Sequence, residues 1–101
     1  MTECDVAFTA ELWEHPGEGG WHFVTMPVTV ADDVRDRAGH LARGFGSIRV
    51  RATVGGTTWT TSVFPSAADG SYLLPVKKQV RRAEALFPGD LVAVGLVLVD
   101  L

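Results

Sequence analysis

Gly55-Gly56 joins two β-branched, alternating runs, residues 47–54 and 57–64, and no other pair of residues in the chain restricts its folding as much. A two-residue glycine connection accepts the positive φ angles that tight hairpin turns demand, so the two runs are predicted to fold back on one another as antiparallel strands. Counting outward from the turn pairs Ala52 with Trp59, Val50 with Thr61 and Ile48 with Val63. These pairs make one mostly apolar face and leave Arg49, Arg51, Thr60 and Ser62 on the other.

The remaining runs extend this β pattern. Residues 6–14 alternate, with Val6, Phe8, Ala10 and Leu12 on one side. After a break at 15–20, the aromatic and β-branched residues 21–26 read as a second strand ending at Pro27, and the two form a meander. Residues 65–70 read as a loop, Ser71 to Leu74 as a short strand closed by Pro75, and Leu91 onward as a last strand.

Two segments carry helical spacing instead. Thr29 followed by Asp32 resembles a helix start; Val30, Val34 and Ala38 share a face, and Gly39 is placed to cap the end in left-handed conformation. This helix is expected to cover a barrel opening. In the second, Val76, Val80, Ala83 and Phe87 recur at helical spacing, Pro88-Gly89 stops the helix, and Asp90 can accept from amides of the turn. Six short strands and two short helices predict a mainly β fold: a small closed six-stranded β-barrel with two capping helices, forming one domain over 1–101. Closure also removes exposed sheet edges.

A chain of 101 residues can bury one core without disulfides, and Cys4, its single cysteine, allows none internally. A formal net charge of -3 argues against a general nucleic-acid binder. No basic region precedes an apolar one at the start, and the apolar run 91–99 is far shorter than the ~20 residues of a membrane helix. The expectation is a cytoplasmic protein with no membrane partner.

The opening Phe8-Thr9-Ala10-Glu11-Leu12, the strand Gly20-Trp21-His22-Phe23-Val24-Thr25-Met26-Pro27, the Ile48-Arg49-Val50 hairpin, the segment from Leu74-Pro75-Val76-Lys77-Lys78 to Arg81-Arg82-Ala83, and the closing Pro88-Gly89-Asp90-Leu91-Val92-Ala93-Val94 together resemble the bacterial family called domain of unknown function 1905. Their order and spacing, rather than any one motif, carry the resemblance. It implies a double-split β-barrel related to small transcription factors and antitoxins of the AbrB and MazE kind, with no established activity. Family members are often followed by a helical domain associated with YdeI or OmpD; this chain ends at Leu101, so a role needing that domain is expected to fall to another protein or not to be performed at all. In one respect the chain departs from the family pattern. Leu91, Ala93, Gly95, Val97 and Val99 make the second face of the last strand apolar too, which predicts packing under a helix or, failing that, a homodimer interface.

Four cations, Lys77, Lys78, Arg81 and Arg82, fall within six residues and read either as an anion-binding cluster, with Arg49 and Arg51 as neighbours, or as the solvated face of an amphipathic helix. Trp13, Trp21, Phe23, Trp59, Phe64 and Tyr72 are expected to fill the core rather than line a ligand pocket. His15, His22 and His40 lack metal-ligand spacing and read as surface or strand histidines; no metal or cofactor is expected. Cys4, between Glu3 and Asp5, has no cation to activate it. Residues 43–47 form a turn whose glycines let the backbone bend into the hairpin. The sequence therefore suggests a non-enzymatic barrel that binds a partner protein or a small anionic ligand. The alternative, by fold analogy, is a DNA-binding regulatory barrel with Arg49 and Arg51 on phosphates.

Overall fold

The computed structural model of the chain describes residues 4–99, so the expectations resting on Glu3 and Leu101 fall outside the described residues. Six strands, β1 (Val6–Glu14), β2 (His22–Thr25), β3 (Ile48–Val54), β4 (Thr57–Ser66), β5 (Ser71–Pro75) and β6 (Leu91–Leu98), close into an antiparallel barrel in the order β1-β2-β5-β4-β3-β6. Two helices accompany it, α1 (Val28–Ala38) and α2 (Lys78–Ala83).

The glycine turn sets the register as counted: Ala52 opposes Trp59, Val50 opposes Thr61 and Ile48 opposes Val63. Gly55 takes φ 57 while Gly56 stays out of the positive region, the pattern of a type II′ turn. Arg49 and Arg51 lie on the outer face of this hairpin.

Two long strands close the barrel by changing partners along their length. β1 pairs with β6 over residues 6–11 and with β2 over 12–14. β4 pairs with β3 over 57–63 and with β5 over 64–66. At the first of these corners α1 packs against β1 and β5. It is fastened there by Arg37, whose Nη1 donates to the Asp5 carbonyl at 3.2 Å, and by Arg35, whose guanidinium stands 5.4 Å from the centre of the Tyr72 ring. Asp5 and Tyr72 mark the starts of β1 and β5, so α1 covers that end of the barrel, as expected. α2 lies toward the opposite end, beside the β3–β4 turn. Leu12, Val24, Val50, Val63, Leu74 and Leu96 are fully buried between them, with Ala31 and Val34 of α1 and Val80 of α2 closing the core. Each large side chain so buried contributes roughly 1.5–3 kcal/mol.

Several local expectations need correction. α1 starts at Val28 behind Pro27, whose ring holds φ at -56 and turns the chain into the helix without any side-chain cap; Thr29 lies inside the first turn. Gly39 is right-handed, at φ -58, because the chain runs on into a 3-10 turn, Gly39–Leu41. α2 stops at Ala83 instead of reaching Phe87. Ala85 takes the left-handed conformation, φ 53; Leu86 N donates to the Arg81 carbonyl and Ala85 N to the Arg82 carbonyl, which is a Schellman ending built on alanine. Ala83 and Phe87 are consequently exposed. In the Gly44–Gly46 turn Phe45 itself, fully exposed, takes a positive φ of 61 ahead of Gly46. β4 continues through Pro65 and Ser66, shortening the predicted loop. Asp90 behaves as read, accepting from the Phe87 amide at 2.8 Å.

The second face of β6 is exposed at its start and half-buried farther on, at Gly95, Val97 and, just past the strand, Val99, rather than packed under a helix among the described residues. Leu91 is 75% exposed and Ala93 is exposed, because both helices are drawn to the barrel's ends and corners. Among the described residues no helix is long and apolar enough to cross a membrane.

Candidate functional site: an open split between β4 and β5

The second corner of the barrel remains open, and hydrogen-bond parity explains why. In a two-residue hairpin the residues flanking the loop exchange bonds, so Val54 with Thr57, Ala52 with Trp59 and Val50 with Thr61 are the bonded pairs. Thr58, Thr60 and Ser62 therefore turn their N–H and C=O groups away from β3, toward β5. Farther along, β5 meets β4: Phe64 opposes Leu73, Pro65 opposes Tyr72 and Ser66 opposes Ser71. The next rung of that register would set Ser62 against Pro75. On β5, the Tyr72 carbonyl accepts from Met26 N and Val76 N donates to the His22 carbonyl, both at 2.9 Å, so these alternate residues face β2. Leu73 and Pro75 face β4, and Pro75 has no N–H to give. The ladder ends there and the strands part.

A cleft of 680 Å³ fills the gap. Its walls include Trp59 and Thr60 from β4, Trp21 from the approach to β2, Phe64, and the cations Lys77 and Lys78 from the start of α2 and Arg81 from its last turn. Trp59 is buried, while Trp21 is 57% and Phe64 43% exposed. Trp21 and Phe64 also border a shallower hollow of 400 Å³ with Phe23 and Leu73. Trp21 lies nearly parallel to Phe23, with ring centres 6.1 Å apart at 9°.

The floor is rigid. His22 is buried, and its Nδ1 stands 2.6 Å from the Gly20 carbonyl, which requires a proton on Nδ1. Nε2 then presents its lone pair to Arg81 Nη1 at 3.5 Å. Arg81 Nε donates to the Val76 carbonyl at 3.1 Å, so this half-buried arginine is anchored by backbone and imidazole together. Lys77 and Lys78 are exposed on the rim.

Of the cations singled out in the sequence, the structure brings three together at the cleft: Lys77, Lys78 and Arg81. Arg82 is exposed and stands outside the lining, and Arg49 and Arg51 lie one strand away, opposite Ser62 and Thr60. The aromatic residues divide. Trp59 and Tyr72 fill the core as expected. Trp13 and Phe23 are half-buried outside it, Trp13 donating to Thr25 Oγ1 at 2.9 Å, and Trp21 and Phe64 are surface residues of the cleft. Thr60 carried no sequence signal beyond its place in the hairpin, although the same parity count would have exposed its free backbone groups. Among the described residues, no three of His, Cys, Asp and Glu gather as metal ligands do. Cys4 is exposed and lies against Gly95.

No curated protein matches the chain. The family model DUF1905, a domain of unknown function, matches residues 8–96, which run from β1 into β6, and the chain belongs to that family.

Proposed function

We propose that this barrel is a non-enzymatic binding module whose ligand, a small anion or an acidic part of a partner protein, seats in the β4–β5 split over Lys77, Lys78 and Arg81. The observation that supports this reading is the lining itself: Lys77, Lys78 and Arg81 with two exposed aromatic rings, outnumbering the nearby carboxylates of Glu14, 4.0 Å from His22 Nε2, and Glu18, in the adjoining hollow, on a chain of net charge -3. Cations of that density attract carboxylate or phosphate, and exposed rings offer area to a flat or apolar portion of the ligand. With only six residues, α2 contributes little dipole, so the cations and the cleft, rather than a helix end, support the site.

Thermal unfolding in the presence of pyrophosphate, nucleotides and aromatic carboxylates tests the reading, with Lys77→Glu/Lys78→Glu run alongside. Ligand at ~100 times its dissociation constant adds ~2.7 kcal/mol, and each kcal/mol moves a domain of this size by about 4–8 °C. A shift present in the parent and lost in the double variant is expected. Gel retardation of short DNA at ~50 mM salt, weakened by Arg49→Glu/Arg51→Glu, would favour a regulatory barrel instead.

A further inference from the structure

We infer that the β4–β5 split receives an extended acidic peptide segment of a partner protein, which adds to β4 as an extra strand; this inference rests on the anionic-ligand reading above and narrows it to a polypeptide. A closed barrel ordinarily leaves no edge for another strand. Here β4 pairs with β5 only from Phe64 onward, and Thr58, Thr60 and Ser62 direct backbone donors and acceptors at the gap beyond, where no described residue pairs with them. Thr60 lies in the wall of the cleft itself.

Those groups repeat every second residue, about 6.8 Å apart, which is the spacing of donors and acceptors along an extended strand and of no common small anion. Strand addition draws affinity from such main-chain bonds and specificity from side-chain sites beside the edge. Beside this edge stand Lys77, Lys78 and Arg81 for carboxylates, and Trp21 and Phe64 for apolar or aromatic residues. Three cations against Glu14, beside His22, and Glu18, beside Trp21, favour an acidic segment over a basic one. A second copy of the chain is the poorer occupant, since this chain's own apolar strand, β6, has both of its edges committed to β1 and β3.

The test uses the intact protein and a positional-scanning set of acetylated, amidated heptapeptides in which Asp or Glu alternates with Val, Thr or Tyr. Fluorescence titration identifies the best binder. Amide exchange followed by NMR then reads the bound state, and the expected result is at least ~10-fold slower exchange at Thr60 and Ser62, with Trp59 and Thr61, already bonded to β3, unchanged. N-methylation of alternate peptide residues should abolish binding in one phase and spare it in the other, because only alternate amides face β4. Lys77→Glu/Lys78→Glu should weaken binding ~10-fold or more without altering the Thr60 and Ser62 amides of the free protein.

Four outcomes would overturn the inference. If no peptide binds up to about 1 mM while pyrophosphate still stabilises the protein, the anion site stands and strand addition falls. If neither binds, both readings fall. Peptide binding that ignores N-methylation and leaves Thr60 and Ser62 unprotected would make the contact ionic only. Protection of both amides without peptide, rising with protein concentration alongside a dimer in sedimentation, would assign the edge to a second copy.

Discussion

Thr57 donates its hydroxyl proton to the Glu84 carboxylate across 2.7 Å, tying the tip of the β3–β4 hairpin to the end of α2. Both side chains are half-buried. Thr57→Val removes the bond while keeping the shape and should cost about 1 kcal/mol, read as a lower urea midpoint with an unchanged slope. Gly55→Ala should cost more. Its φ of 57 is left-handed, a strain of roughly 1–2 kcal/mol for alanine, and the new Cβ would collide with the Glu84 carboxylate.

Ala85 ends α2 in a conformation that glycine adopts more cheaply. Ala85→Gly should stabilise the protein by up to about 1 kcal/mol, because relief of the left-handed strain exceeds the added freedom of the unfolded chain. Differential scanning calorimetry should show a melting temperature several degrees higher by the usual conversion of about 4–8 °C per kcal/mol; an unchanged or lower one would mean that the Schellman ending carries no strain.

His22 joins the Gly20 carbonyl to Arg81 beneath the cleft. His22→Leu removes the bond to the Gly20 carbonyl and the contact with half-buried Arg81 and should destabilise by about 0.5–1.5 kcal/mol, whereas His22→Gln, retaining a donor and an acceptor, should lose less. Chemical denaturation of the two variants side by side checks the order.

Pro75 denies the next rung of the β4–β5 ladder one of its two bonds. Pro75→Val restores an N–H facing the Ser62 carbonyl, and amide exchange should reveal a protected proton at position 75. The same variant should bind anions and peptides at the split more weakly, because the rung draws the strands together.

The β architecture was legible because its determinants are local. Gly55-Gly56 fixes the loop length, loop length fixes parity, and parity fixes every pair from Ala52–Trp59 to Ile48–Val63. The ends of the helices were not, because each depends on one residue acting against its usual preference: Pro27 leads into α1 without a side-chain cap, and Ala85 stops α2 where glycine was expected. At the site, the clustering of Lys77, Lys78 and Arg81 was visible in one dimension. The cleft was hidden because Pro75 reads in sequence as the close of a short strand, and its effect on β4 exists only once Ser62 is opposite it. Trp21 and Phe64 share the aromatic character of core residues, and only the pleat of the barrel separates them from Trp59.

Leu98 N–H donates to the Asp5 carboxylate across 93 positions of the chain, at one end of the seam where β1 meets β6. During synthesis, then, β1 leaves the ribosome well before its partner β6 exists. At ~5–20 residues per second the wait lasts seconds, through which residues 6–11 hold an apolar face and an uncommitted edge in the open. The seam cannot close before Leu98 has been made, so the exposure of β1 to chaperones and to its neighbours is set by the time needed to make the residues between Asp5 and Leu98.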